Sequence, residues 1–281
     1  MYRMIIQNDR GQQLELTGNR RYSVLSVSGT NPPAAAINTN IIAGVDGSRF
    51  NSARAEQRNI VLTLAIHEPV ETNRLLLYDF FKVKKMIRIF YKNGERDVYI
   101  DGYIESFENN PWTAYQQPQI SVICPQPYWL ARHETSTRFS KSRPLFEFPF
   151  SIPDGGIEFS TVLNLSEVIV DAGEVETGCI FTLTATDEVQ NPKIANATNG
   201  DFFGLNITMQ TGDVVTINTI KGEKSVKLLR GGTTTNLIGN RTSGSAWIQL
   251  EPNQNVVRMD ADEGLEYLLA SIAFVKKFEG V

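Results

Sequence analysis

The chain has 281 residues, 41% of them hydrophobic and 21% charged, with a formal net charge of -4. That length suits two domains with separate cores, and that composition excludes a disordered or fibrous chain. Two cysteines exclude a disulfide framework, and no apolar run approaches the roughly 18 residues of a membrane-spanning helix.

The opening residues lack the long apolar core of a signal peptide, so synthesis in a cytosol without export by that route is expected. Tyr2 to Gln7 and Gln13 to Thr17 read as a hairpin about an Asp9-Arg10-Gly11 turn, and Tyr22 to Val27 as a third strand. Residues 28–57 are poor in regular signals. They hold Asn31-Pro-Pro33, a short apolar segment from Ile37 to Val45, and Gly44-Val-Asp-Gly-Ser-Arg-Phe50. A stretch this long reads as an arm that reaches outward, against the plainer reading of a long surface hairpin. Asn59 to Ile66 is a strongly apolar strand. Residues 69–83 read as one short amphipathic helix, with Pro69 at its first position and Leu76/Phe80 and Leu77/Phe81 at i,i+4. Lys82, Lys84 and Lys85 then complement the helix dipole. Asn93-Gly94 between Met86–Tyr91 and Asp97–Ile104 predicts a hairpin whose second strand extends toward Phe107. Residues 117–124 return as another strand. Pro125-Gln-Pro-Tyr-Trp129 stops it, because proline lacks a donor and fixes φ; this exit reads as a rigid joint between two bodies.

Seven of the twelve prolines fall between Pro111 and Pro153, and the charge changes sign across that region. Residues 1–143 carry 18 Lys+Arg against 13 Asp+Glu, and residues 144–281 carry 9 against 18. The expected domains are therefore 1–143 and 144–281, facing different partners. The basic half is too weakly and too evenly charged to argue for nucleic acid. After Phe146–Phe150, short Thr-, Asn- and Gly-rich strands recur to Lys276 with glycine-containing breaks, the spacing of an antiparallel sandwich or jelly roll. Leu265–Phe274 has helical propensity but is read as strand from its context. The fold class is mainly β: an N-terminal sandwich-like domain with one helix and a long arm, then a C-terminal antiparallel sandwich.

Catalytic constellations are not found. His67 and His133 are each followed by Glu, but neither completes H-E-x-x-H. No nucleophile elbow, Walker loop or dinucleotide fingerprint occurs. Asp260-Ala-Asp-Glu-Gly264 lacks the glycine and distal glutamate of a calcium loop and reads as an exposed acidic turn. Glu105 and Glu108 read as solvated strand carboxylates, and Cys124 and Cys179 as buried apolar packing. Four N-x-[ST] sites, at Asn164, Asn196, Asn206 and Asn240, follow from Asn/Thr-rich composition. Trp247 and Phe202-Phe203 could stack on sugar rings, against a core role. No catalytic, cofactor-binding or metal-binding residue is assigned, no cofactor is expected, and neither nucleic acid nor membrane is an expected partner.

An ordered set of segments resembles the distal tail protein (Dit) family of siphophages infecting Gram-positive hosts. These are Gly44–Phe50 with Glu56–Ile60, Ile120–Trp129, Asn191–Ile194 with Thr211–Asn218, and Trp247–Asn253 leading to Phe278-Glu-Gly-Val281. Where the family more often has Pro-Gly-x-Asn, this chain has Pro252-Asn253-Gln-Asn255, and Asn253 can take the same left-handed turn. The resemblance implies a non-enzymatic hub at the virion tail tip, with the N-terminal domain in a homohexameric ring and a galectin-like or carbohydrate-module-like sandwich outside it. The implied partners are other copies of the chain, the major tail tube protein, a tail-associated hub or lysin, and receptor-binding or other baseplate proteins. Direct recognition of cell-wall saccharide by the sandwich is the alternative.

Overall fold

The computed structural model describes residues 2–144, 160–164 and 167–281. They form two compact units, one of residues up to 132 joined by 278–281, the other of residues 133–277. The boundary expected after residue 143 thus falls inside the second unit, and the return of residues 278–281 to the first was not foreseen.

The first unit contains β1 (Arg3–Asn8), β2 (Gln13–Glu15), β3 (Tyr22–Ser28), β4 (Ala35–Asn40), β5 (Arg49–Ala55), β6 (Arg58–Ile66), α1 (Val70–Phe80), β7 (Met86–Lys92), β8 (Asp97–Glu108), β9 (Gln119–Cys124) and β10 (Trp129–Ala131). Its main sheet runs β2-β1-β7-β8-β9-β6-β3 with neighbouring strands antiparallel, and β10 pairs with the start of β8. Period-two alternation builds the core. Ile60, Leu62, Leu64 and Ile66 of β6 lie in one row with Ile120, Val122 and Cys124 of β9 beside them, all buried. The Asn93-Gly94 hairpin and the extension of β8 past Phe107 are as read from the sequence.

The helix is shorter than expected. Pro69 precedes the first helical residue instead of occupying it, and α1 stops at Phe80. The lysines therefore lie beyond its last turn: Lys82 pairs with Asp79 and Lys85 with Asp9, while Lys84 takes φ 68°. Leu77 and Phe81 face the core, whereas Leu75, Leu76 and Tyr78 remain exposed.

The second unit has a six-stranded sheet and a four-stranded sheet around one core. The larger orders Thr135–Arg138, Leu268–Phe274, Ile180–Ala185, Val214–Asn218, Ser225–Arg230 and Thr233–Asn236. The smaller orders Glu167–Asp171, Gln254–Asp260, Lys193–Asn196 and Phe202–Gly204. Phe181, Leu183, Ile272 and Phe274 from the first meet Val170, Ile194, Phe203 and Val257 from the second in a single buried cluster, the inner face of a sandwich. Leu268–Phe274 is strand, as read, after one 3-10 turn at Leu265–Tyr267. Asn253 sits at φ 67°, the left-handed turn expected of it. Residues 146–150, read as the start of the second body, lie outside the described residues.

Asp213 is the most buried carboxylate among the described residues of this unit, at 2% exposure. It accepts from Arg230 Nε at 2.9 Å and from the Gln210 amide at 2.8 Å, and the Arg230 guanidinium holds it below the usual carboxylate range. A depressed folded pKa gives stability that is present above the unfolded pKa and lost as pH falls through the folded one. Asp213→Asn should therefore cost about 1–2 kcal/mol at neutral pH and flatten the acid limb below about pH 4. Chemical denaturation at several pH values measures this; a mutant with an unchanged acid limb would refute the assignment.

Candidate functional site

Residues 28–57 are an arm in a literal sense. β4 and β5 pair with each other, Ala35 opposite Ala55 through Asn40 opposite Arg49, and with no other strand. Gly44 and Gly47, at φ 81° and 89°, turn the tip. Every residue of β5 is exposed. So are the large apolar side chains Ile37, Ile41, Ile42, Val45 and Phe50, with Ile41 at 86%. A lone two-stranded ribbon is marginal in water, and its two free edges are ready templates for another chain. The arm has the makings of half an interface.

Its base is clamped by Arg58. The alternation of β6 runs Arg58, Ile60, Leu62, Leu64, Ile66 on one face, so this arginine stands in the buried row at 4% exposure. Its guanidinium donates to the carbonyls of Gly29 at 2.9 Å, Asn31 at 2.7 Å and Pro127 at 2.8 Å, and to that of Glu279. Burial lowers its pKa. Gly29 can lie this close only as glycine: φ is 79°, and a Cβ would stand 1.9 Å from the Asn59 carbonyl oxygen. The Val281 amide donates to the Thr30 carbonyl, and Glu56 N to Ala34 O at 2.8 Å closes the root of the ribbon. The sequence reading passed over Arg58 by starting the strand at Asn59. The signal that would have found it was a cation in phase with four buried aliphatics.

The Pro125–Trp129 stretch is part of this clamp. Pro127 is buried and supplies one of the four carbonyls. Trp129 is fully buried, with the Arg58 guanidinium 6.0 Å from its ring centre. The stretch lies within the first unit, which continues to Arg132. Gly102 lets β8 approach here, since a Cβ would stand 2.8 Å from Cys124 Sγ.

The residues weighed for chemistry are dispersed. His67 shares a 2.6 Å hydrogen bond with Ser23 Oγ, and His133 is exposed on the other unit. Glu105 accepts from Ser121 Oγ at 2.8 Å, and Asp262 from Asn191 Nδ2 at 2.8 Å. No group of three His, Cys, Asp or Glu among the described residues could hold a metal. Burial pushes the thiols of Cys124 and Cys179 up to about 12, so both remain protonated packing groups. No helix of the described residues is long and apolar enough to cross a membrane. In the sandwich, Phe203 is buried and packs on half-buried Trp247 at 5.1 Å, while Lys224 and Arg241 each lie 5.5 Å from the Trp247 ring. The ring is thus engaged by its own chain, the core role weighed from the sequence.

Residues 172–276 match the family model of the siphovirus-type tail component, C-terminal domain. Among solved structures the chain is similar to the SPP1 Dit (gp 19.1) protein, described as a paradigm of the hub adsorption apparatus in phages infecting Gram-positive bacteria. The two share 16% identity at a TM-score of 0.65, covering 98% of this chain and 99% of that one. Chains of the phage P2 baseplate in its activated conformation with Ca and with Sr are similar at 13% and 14% identity, each over the whole of both chains at a TM-score of 0.49. No curated protein matches the chain by sequence.

Three substitutions test the clamp. Arg58→Ala strands four carbonyls and should cost about 3 kcal/mol, with Arg58→Lys intermediate because an ammonium lacks the planar fork. Gly29→Ala should cost at least as much as Arg58→Lys. Urea unfolding followed by tryptophan fluorescence gives the values; Arg58→Ala within about 0.5 kcal/mol of the parent, the range of ordinary surface changes, would show that the clamp is incidental.

Proposed function

We propose that this chain, a siphovirus-type tail component in its C-terminal unit with the fold of SPP1 Dit over its length, is the structural hub of a phage tail tip. Copies close into a ring, six-membered as the family resemblance implies, with the N-terminal unit in the ring and the sandwich facing outward. The ring joins the tail tube on one side to a tail-associated protein on the other, and the outer units carry receptor-binding or other baseplate proteins.

The observation that carries this reading is the arm: five large apolar side chains exposed on a ribbon that pairs with no other strand among the described residues. A surface that cannot cover itself invites a second copy, and a heterologous contact whose rotation closes makes a ring. Each joint can be modest because closure adds the joints together. The opposite charge balances of the two halves support distinct neighbours for each. Direct saccharide recognition by the sandwich has less behind it, since Trp247 is already covered by Phe203, Lys224 and Arg241.

Negative-stain images and native mass of the purified chain should show rings with a central channel. Replacing residues 37–52 by a short Gly-Ser turn, which spares the Asn31 carbonyl that Arg58 needs, should leave a folded monomer. Rings that persist without the arm would overturn its role; a uniform monomer of the intact chain at high concentration would overturn the ring.

A further inference from the structure

Residues 278–281 lie as a strap across the root of the arm. The Phe278 ring is 4.2 Å from the Arg96 guanidinium and packs on the core of the first unit, as does Val281. Glu279 gives its carbonyl to Arg58, and the Val281 amide donates to the Thr30 carbonyl at 3.3 Å. Gly280 lets the strap lie close, since a Cβ there would stand 3.2 Å from Pro32 Cδ and 3.3 Å from the Thr30 oxygen. Arg58 thus holds Gly29 and Asn31 while the strap lies against Thr30 and Pro32, so both grip the same short stretch. The strap's own hold is slight: none of its residues is fully buried, and Glu279 is exposed.

The residues that lead into the strap are anchored in the second unit. There the Lys277 carbonyl accepts from the Glu174 amide at 3.0 Å, and Lys277 forms a bridge with Gly173. Gly173 has φ 92°, and a Cβ on it would stand 2.9 Å from the Lys277 oxygen. Lys276 pairs with Asp171 at 2.7 Å, and Thr177 Oγ1 donates to the Val275 carbonyl at 3.3 Å. Lys277 and Phe278 are adjacent in sequence, so no residue lies between the anchor and the strap. Consecutive Cα atoms stay about 3.8 Å apart across a trans peptide, so a shifted anchor drags the strap with it.

We propose that residues 278–281 are a strap through which the second unit controls the root of the arm. With the strap seated, Arg58 has all four of its acceptors and the foot of the ribbon, where Glu56 N meets Ala34 O, is held. A shift of the second unit's exit segment draws Glu279 off Arg58 and Val281 off Thr30, and the foot of the ribbon frays. Arg58 keeps three acceptors when the strap lifts, so the opening is local and the first unit stays folded. The device works within one copy and holds whether or not copies close into a ring.

Limited trypsin digestion compares the root with the tip. Arg54 stands opposite Ala36 near the foot of the ribbon and Arg49 opposite Asn40 near its tip, and both are exposed. The rate of cleavage after Arg54 divided by that after Arg49, followed by mass spectrometry, cancels anything that covers the whole arm. Gly280→Val should raise this ratio about tenfold, as loss of a hydrogen-bonded contact eases local opening, with Phe278→Ala acting in the same direction. Thermal unfolding checks that each variant is folded. Two changes in the second unit should raise the ratio as well: Gly173→Ala, whose Cβ pushes on Lys277, and the milder Lys276→Glu, which sets a carboxylate against Asp171. A Gly-Ser-Gly insertion between Lys277 and Phe278 should leave the ratio within about twofold of the parent and abolish the effect of both, because slack absorbs the shift. A parental ratio in folded Gly280→Val and Phe278→Ala would overturn the strap. Changes in the second unit that leave the ratio unmoved, or that still move it across the insertion, would overturn the control.

Discussion

A single buried guanidinium holds together three stretches that lie far apart in the chain. Arg58 reaches the carbonyls of Gly29, Asn31, Pro127 and Glu279, which belong to the root of the arm, the exit from β9 and the closing residues. Arg58 supplies each of these carbonyls with a donor, and a carbonyl left unpaired away from water is costly. A planar donor with five N–H groups suits the job, because it serves several acceptors without moving. The rigidity of the arm's root, the turn at Pro127 and the docking of the terminal residues are therefore one property with one origin. Neighbouring features fit the same need: Gly29 removes the Cβ that would collide with Asn59, and Gly102 lets β8 close on Cys124.

Most of the sheet architecture was legible in the residues because burial follows a period of two. The β6 row, the Asn-Gly hairpin and the left-handed turn at Asn253 each have a local cause, and local causes can be read from local sequence. What escaped reading has non-local causes. Thr135–Arg138 and Thr233–Asn236 contain no buried aliphatic, and they are strands because a sheet edge accepts them. The helix lost its last turn because Phe81 is drawn into the core, so the lysines behind it pair with Asp79 and Asp9 instead of its dipole. The arm was recognised as irregular and outward-reaching, but its regular pairing was hidden by Ala, Asn and Ser, which do not alternate in hydrophobicity. The Pro-Gln-Pro-Tyr-Trp exit, read as a rigid joint between two bodies, lies inside the first unit, where Pro127 and Trp129 are buried.

The division of labour between the units follows from where apolar surface remains exposed. In the first unit the arm and the outer face of α1 stay in water, and Trp112 and Tyr115 stand almost fully exposed on the loop between β8 and β9. In the second, large apolar side chains are mostly consumed by one core, and the surface is acidic in balance. Contiguous exposed apolar surface marks where a body can associate. The stretch that matches the siphovirus-type tail component model, residues 172–276, lies wholly within the second unit.

The return of residues 278–281 to the first unit has a consequence for synthesis. A ribosome releases residues 1–132 long before it reaches Glu279, so the nascent first unit must wait with one of the four Arg58 acceptors missing. Domains otherwise tend to fold as they emerge, amino-terminal first. Here the last few residues act as a latch on the first body, and the root of the arm becomes fully braced only when translation of the intervening unit is over.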